Sequence, residues 1–479
     1  MHRIDTTLAH PLYTVATTRA LETRLAATLP AHTLMQRAGL ATARLALAIA
    51  PHARTFWIAC GPGNNGGDGL EAAMHLQHWG KTALVSWLGS AESAPADARA
   101  AHARAVAAGI RFVGAPPTEC GCCIDALLGI GARRQPQGQL AEWITHLNTL
   151  PVPVLAVDLP SGLDADTGTA AGPCVRASHT LSLLTLKPGL YTAQGRDQAG
   201  QVWFESLGAD AAGTPAQAWL GAAPAAATRR HATHKGSYGD VAVIGGAPGM
   251  SGAALLAASA ALHHGAGRVY VALLDGGSLA VDPVRPELMF RAPEWLDPAQ
   301  LTVVAGCGGG HAIAAQLPRL LSSAPRLVLD ADALNAIAND SQLATLLRAR
   351  AARQRSTVLT PHPLEAARLL GSTAAAVQQD RLAAAQQLAQ QLACCVVLKG
   401  SGTVIAEAGE TPVINPTGNA RLATAGTGDV LAGLIGARLA QGQTAFEAAI
   451  AAVWLHGQAA DAWPAAQPLT AGALAQAIG

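Results

Sequence analysis

Thr424-Ala425-Gly426-Thr427-Gly428-Asp429-Val430-Leu431-Ala432-Gly433 sets a carboxylate directly behind a glycine-rich turn and ahead of an apolar helical run. Such a turn can aim backbone N–H groups at a phosphate, and the helix that follows adds its positive N-terminal dipole. Asp429 would then stand beside the anion as a candidate general base. A second glycine-rich stretch, Gly61-Pro62-Gly63-Asn64-Asn65-Gly66-Gly67-Asp68-Gly69, lies far upstream. The two are too distant to share a domain, so the sequence predicts two active sites.

Length and composition fit that division. A chain of 479 residues exceeds what one hydrophobic core normally organises. A formal charge of +1, with few aromatics and none interleaved with basic runs, argues against nucleic acid as a partner. Met1-His2-Arg3-Ile4-Asp5-Thr6-Thr7 has no apolar signal core, and the apolar stretches are Ala-rich, Gly-broken and too short to span a bilayer. A soluble, cytoplasmic protein with no membrane partner is expected. Cys120, Cys122 and Cys123 lack a second cysteine pair at ligand spacing and lead into the apolar run Ile124 to Leu128, so they read as buried small residues near a strand.

Short apolar strands alternate with Ala-rich helical stretches in both halves, which predicts an α/β protein with largely parallel sheets. Phe56 to Cys60 feeds the first glycine loop, after which Leu70 to Trp79 reads as a helix. Val152 to Val157 leads to the polar turn Asp158-Leu159-Pro160-Ser161-Gly162. Gly208 to about Ala227 is rich in Ala, Gly and Pro without steady periodicity and is placed as the interdomain linker, giving domains 1–212 and 225–479. Beyond it the strands Val241 to Ile244, Arg268 to Leu273, Leu327 to Asp330 and Cys395 to Lys399 each run into a polar or glycine turn. Ligands in open α/β sheets collect at such strand ends. A nucleotide cleft would be lined by Lys399-Gly400-Ser401-Gly402-Thr403 and Gly426-Thr427-Gly428-Asp429.

Neither loop has Walker spacing, no dinucleotide fingerprint follows a strand in the first half, and an isolated glycine turn is often only a tight connection. Convergence is the stronger signal: Asn64, Asn65, Asp68, Asp125, Asp158 and Ser161 are polar groups placed at strand ends, where core packing does not require them.

Over nearly its whole length the chain resembles the bifunctional NAD(P)H-hydrate repair enzymes, an epimerase domain of the YjeF N-terminal type fused to an ADP/ATP-dependent dehydratase. Gly61 to Gly69, Asp125 to Gly129, Val157 to Asp164 and Lys187-Pro188-Gly189 carry the epimerase resemblance. His234-Lys235-Gly236, Pro361-His362-Pro363, Lys399 to Thr403 and Asn419 to Gly433 carry the dehydratase resemblance. The resemblance implies a Rossmann-like α/β/α sandwich followed by a ribokinase-like α/β domain, and a homo-oligomer, a tetramer among the sizes it allows.

Hydration leaves a hydroxyl on a carbon next to the nicotinamide ring nitrogen, so its face can exchange through ring opening or an iminium-like species. An epimerase needs a positioned base and a fixed ring. The resemblance implies that Asp158 contacts the hydrated nucleotide (NADHX or NADPHX). Asn64, Asn65, Gly66, Gly67 and Asp68, with Gly129, Ile130, Gly131, Ala132, Arg133, Arg134 and Gln135, hold its polar parts, and potassium sits among Asn65, Asp125 and Ser161. Oxygen ligands suit such a hard cation. The plainer alternative makes Asp125 and Asp158 strand-end caps.

Dehydration requires that hydroxide become a better leaving group, which phosphorylation achieves. Asp429 can take the hydroxyl proton while N–H groups from Ala425 to Gly428 stabilise the transferring phosphoryl. The resemblance assigns ADP or ATP, with magnesium, to Lys399, Gly400, Ser401, Gly402, Thr403 and Gly428, and the hydrate to Ala253, His362 and Asp429. His362, flanked by prolines, could instead be a turn histidine, and Lys399 a solvated strand end. The chain departs from the family pattern at Gly306-Cys307-Gly308-Gly309-Gly310, where Gly-Pro-Gly-Leu-Gly is usual; losing the proline predicts a less rigid loop. The register after Gly131 is open.

Two other classes share parts of this pattern. A ribokinase-like vitamin kinase with a fused non-catalytic binding domain would also use a Gly-Thr-Gly-Asp turn. A scaffold derived from the epimerase would not need Asp158, Lys187 and Asp429 intact.

Overall fold

A computed structural model describes residues 1–131, 134–225 and 230–478. The chain divides into two compact units, Met1–Asp5 with His10–Ala218, and Thr6–Ala9 with Trp219–Gly479. Among the described residues no helix is long and apolar enough to cross a membrane.

The first unit is built on an eight-stranded sheet ordered His2–Arg3, Gln201–Glu205, His179–Leu183, Val154–Val157, Cys122–Ala126, Thr55–Cys60, Thr82–Trp87, Arg111–Phe112. Every neighbouring pair is parallel except the first. Parallel strands are covered on both faces and so read as unbroken apolar runs. Phe56, Ile58 and Cys60 enter one core with the helices Thr33–Ile49 and Asn64–His78, whereas Trp57 and Ala59 enter the opposite core with the helix Gln139–Leu147. The alternation is the period-two geometry of a strand. Cys122 and Cys123 are buried in that sheet, as expected, whereas Cys120, just ahead of the strand, is only half-buried; every cysteine is free.

The helix after the first glycine turn starts at Asn64, six residues before the Leu70 predicted from periodicity. The glycines hid it, because glycine disfavours helices on its own. Here they permit close approach instead. A Cβ on Gly66 would stand 2.1 Å from the Gly61 carbonyl oxygen, and one on Gly69 would stand 2.6 Å from the Ala126 side chain. Asn64 and Asn65 therefore project from the first turn of a helix and Asp68 from its second, not from a strand-end loop.

In the second unit the sheet runs Met289–Phe290, Arg268–Leu273, Asp240–Gly245, Thr302–Ala305, Arg326–Leu329, Ser356–Leu359, Cys395–Leu398, Val404–Ala406, Val413–Ile414. It is parallel as far as Cys395–Leu398 and then continues through antiparallel strands. Trp219 and Leu220 add a parallel strand on Val413 and Ile414. This strand lies inside the stretch expected to be linker; at three residues it is too short to show a period. The helices Ser251–His263 and Thr427–Ala440 lie back to back, so close that a Cβ on Gly433 would be 2.0 Å from the Ala257 carbonyl oxygen. Their Ala and Gly content is what allows this contact.

In each unit the strand order reverses beside the strand that opens a glycine turn. In the first, the reversal separates Thr55–Cys60 from Cys122–Ala126; in the second, Asp240–Gly245 from Thr302–Ala305. A crevice opens at the carboxyl ends of the strands at such a point.

Candidate active sites

At the reversal in the first unit lies a cavity of about 580 Å³, lined in part by Asn64, Asn65, Asp68, Gly129, Ile130, Gly131 and Asp158. Asp158 follows the strand Val154–Val157 and takes a left-handed φ of 69°, uncommon for a residue with a side chain. It is 8 % exposed, and the wholly buried Lys187 ammonium donates to its carboxylate. The Leu183 N–H donates to the same oxygen at 3.2 Å, and Lys187 also donates to the Leu183 carbonyl at 2.7 Å. Asp158 is thus fixed in place with one edge on the cavity. Burial, with the charges of Asp158 and Glu22 adding to it, holds Asp68 well above the usual carboxylate range.

Below the cavity floor Asp125 accepts from the Ser161 hydroxyl at 2.6 Å, the Ser161 N–H at 2.8 Å and the Leu127 N–H at 3.2 Å. Burial pushes its carboxyl up to about 6 against the pull of those bonds. Asn65 donates through Nδ2 to the Leu128 carbonyl at 3.0 Å, which turns its oxygen toward Gly129. Asn65 and Ser161 thus share the Leu128 carbonyl and Asp125 joins them through Ser161, and the atoms that the three can offer a cation are oxygens.

Other predicted residues sit elsewhere. Gly66 and Gly67 are buried, the latter against Met35, and serve packing. Gln135 is exposed and lies over Gly172, and Arg134 is exposed, neither lining the cavity. Ala132 and Arg133 fall outside the described residues. Conversely, Thr18, Arg19 and Glu22 line the cavity from the helix Val15–Ala26. The four-residue step from Thr18 to Glu22 puts them on one face, a signal readable in the sequence but not joined to the distant glycine loop.

In the second unit Asp429 is the third residue of the helix Thr427–Ala440, entered through Gly426 at φ 89°. First-turn N–H groups have no intrahelical acceptor and point outward at this end. Buried His456 shapes the turn: burial pushes its imidazole down to about 4, so the ring is neutral, and Nε2 donates to the Thr427 carbonyl at 2.9 Å. Beside Asp429 stands the departing loop. Gly306, Gly308 and Gly310 have φ of 114°, 58° and 52°, so its glycines are required by conformation. Cys307 is wholly buried, with its Sγ within 4.8 Å of an Asp429 carboxylate oxygen. A Cβ on Gly308 would lie 2.9 Å from that of Ala253, which brings the predicted Ala253 to the same loop.

Donor atoms of Cys307, Asp330 and Asp429 lie within 4.8 Å of one another. Burial, then the neighbouring Asp330 charge, pushes the Asp429 carboxyl up to about 6. The cation of this cluster is supplied by the protein, since Lys399 Nζ donates to Asp330 at 2.8 Å. Burial opposes the lysine's charge, but Asp330 and Glu365 outweigh it and hold Lys399 above its usual range. Its Nζ reaches to 3.4 Å from where a Gly428 Cβ would be, so Lys399 stands over the Gly426-Thr427-Gly428-Asp429 turn and is not a solvated strand end. Gly400, at φ 138°, passes close to the buried Arg381, which donates to the Leu398 and Lys399 carbonyls at 3.1 and 3.2 Å. Thr403 donates back to the Gly400 carbonyl at 3.1 Å, closing the turn that carries Ser401 and Gly402. His362 caps the helix Pro363–Leu370, its Nδ1 accepting from the Leu364 and Glu365 N–H groups at 3.2 and 3.3 Å. Burial first, then the Lys399 charge, lowers its basicity. The turn-histidine role is thus real, at the same strand edge as Lys399.

Residues 31–189 match the family model for the YjeF-related protein N-terminus, and residues 241–479 match that for NAD(P)H-hydrate dehydratase. The chain is 37% identical over 448 residues to the bifunctional NAD(P)H-hydrate repair enzyme Nnr of Escherichia coli, covering 89% of this chain and 84% of that one. It is 44% identical over 257 residues to the ADP-dependent (S)-NAD(P)H-hydrate dehydratase of Neisseria meningitidis, covering 52% and 86%. Among solved structures, a ribokinase-like superfamily protein of Enterococcus faecalis matches with 28% identity and a TM-score of 0.45, over 52% of this chain and 89% of that one. The chain belongs to the bifunctional NAD(P)H-hydrate repair enzymes.

Proposed function

We propose that the first unit exchanges the R and S epimers of hydrated NADH and NADPH, and that the second dehydrates the S epimer at the expense of ADP or ATP. The domains then run from the start to about residue 218 and from Trp219 onward, with Thr6–Ala9 serving the second unit through bonds such as Trp454 Nε1 to the Thr6 carbonyl at 3.2 Å.

The observation that carries the dehydratase reading is the placement of Asp429, in the first turn of its helix and beside Lys399 and Asp330. Asp429 takes the proton of the substrate hydroxyl as the terminal phosphoryl of the magnesium-bound nucleotide moves onto that oxygen. The outward N–H groups and Lys399 stabilise charge on the phosphoryl oxygens. Phosphate then leaves as the ring nitrogen supplies its electron pair, and the adjacent ring carbon gives up a proton, its C–H pair forming the ring C=C as the C=N pair returns to nitrogen. Lys399, Gly400, Ser401, Gly402, Thr403 and Gly428 hold the nucleotide; Ala253 and His362 border the hydrate.

In the first unit, Asp158 acts on the hydroxyl-bearing carbon, with Asn64, Asn65, Asp68 and the Gly129 to Gly131 turn holding the nucleotide. Asn65, Asp125 and Ser161 would hold potassium, since their all-oxygen donor set fits a hard cation. When bound it supplies fixed positive charge beneath the site. Incubating the purified chain with mixed hydrate epimers and magnesium ADP, while following the absorbance of reduced nicotinamide, tests the whole reading. Accumulation of a phosphorylated vitamin without return of reduced nicotinamide would establish the kinase instead.

A further inference from the structure

The epimerase cavity has a second carboxylic acid on its wall. Glu22 lies on the helix Val15–Ala26, and Thr18, Arg19, Glu22 and Ala26 all line the cavity, as helical spacing of three and four requires. That helix is fastened to the segment carrying the Asp158 partner, because the Thr18 hydroxyl hydrogen-bonds the Thr185 hydroxyl at 2.7 Å, two residues before Lys187. The Val15 N–H donates to Asp166 at 2.8 Å, anchoring its start beyond the Asp158 turn. Glu22 and Asp158 thus reach one cavity from separate elements that are bonded to each other. Among the described residues nothing hydrogen-bonds the Glu22 carboxyl.

We propose that Glu22 is the general acid of the epimerase, working with Asp158 as the base. This rests on the epimerase reading of the first unit. Exchange of the hydroxyl between faces needs both roles. Glu22 gives its proton to the hydroxyl oxygen; the C–O bond breaks, water departs with the bonding pair, and the ring nitrogen lone pair forms C=N. A second water adds to the opposite face, its oxygen supplying the new C–O bond while the C=N pair returns to nitrogen. Asp158 accepts the proton that this water sheds, and solvent returns it to Glu22. One water leaves and one enters, with no change of oxidation state.

The surroundings divide the two carboxylates as the roles require. Asp158 is paired with the Lys187 ammonium. Burial raises Glu22 above the usual carboxylate range, and Asp158 and Asp97 add to that, while Lys187 and Arg19 oppose it. Asp68 is a further acidic neighbour, itself raised by Glu22, and Asp97 is partnered by His32 at 2.6 Å. A carboxyl raised in this way, beside one paired with an ammonium, suits an acid and a base in one site.

The test is Glu22→Gln in the full chain, with Glu22→Asp beside it, measuring epimer exchange against pH and S-epimer dehydration in the same preparation. Glu22→Gln should slow exchange by about 100-fold through kcat with little change in KM, and lose the alkaline fall of the profile. Glu22→Asp should keep that fall at reduced rate, and neither should alter dehydration. Exchange by Glu22→Gln at the wild-type rate with the alkaline fall intact would overturn the proposal, as would a change confined to KM. If the wild-type chain itself exchanges no faster than the spontaneous reaction, the epimerase reading fails, which is a different result.

Discussion

Lys187, wholly buried, donates its ammonium to Asp158, which is held at a left-handed φ of 69°. Removing one partner of a buried pair leaves an uncompensated charge and is strongly destabilising, by about 3 to 5 kcal/mol. We expect Lys187→Met to lower stability by about 3 kcal/mol in urea unfolding of the first unit and to remove epimerisation. Asp158→Asn also leaves the buried Lys187 ammonium without a counter-charge, so it should cost stability too, though less than Lys187→Met. Asparagine tolerates the left-handed conformation and still accepts from Lys187 through Oδ1.

Asp429 should set the acid limb of dehydration. With its carboxyl at about 6, kcat/KM should rise with pH through that value, since the base must be ionised. The same shift acts against stability. The folded state binds the proton more tightly than the unfolded chain, so stability present at low pH is lost as pH rises from the ordinary carboxylate range through about 6. Asp429→Asn should therefore lose about 100-fold or more in kcat. It should also gain of order 1 kcal/mol at pH 8, allowing for solvent screening.

Cys307 tunes that base. Its thiol, with Sγ within 4.8 Å of the Asp429 carboxylate, favours the ionised form. In Cys307→Ala the acid limb should move up by roughly 0.5 to 1 pH unit, whereas Cys307→Ser, which keeps a donor, should hold it near the wild-type position. Identical profiles for all three proteins would remove the thiol from the mechanism.

The glycines of the helix Asn64–His78 separate packing from turn chemistry. Gly66→Ala would drive a methyl group to 2.1 Å from the Gly61 carbonyl and should cost roughly 1 to 3 kcal/mol. Gly63→Ala meets nothing within 4 Å at an extended φ of −96° and should be nearly neutral. Thermal unfolding of the two variants distinguishes them.

The parallel α/β organisation was legible because buried strands such as Phe56 to Cys60 run unbroken into polar turns. The grouping of Asp125, Asp158, Ser161 and Lys399 at sheet edges was legible because polar residues there are not needed by a core, while Asn65 and Asp429 were picked out by the glycine turns that open their helices. The start of the helix at Asn64 was hidden by glycines whose purpose is tertiary contact. The strand Ala218–Leu220 was hidden by its length. Arg19 and Glu22 were missed since only the folded chain brings the helix Val15–Ala26 to the cavity, and His456 because a neutral buried histidine on an Ala-rich helix carries no local pattern.

The central claim is that one chain holds two separate sites acting in succession, and the full chain carrying Asp158→Asn tests it most directly. Supplied with mixed hydrate epimers and magnesium ADP, wild-type protein should return essentially all of the hydrate as reduced nicotinamide. The variant should convert the S epimer at the wild-type initial rate and then stop, apart from slow spontaneous exchange. S-epimer dehydration that falls as far as epimerisation, in a variant whose circular dichroism is unchanged, would contradict the separation of the sites.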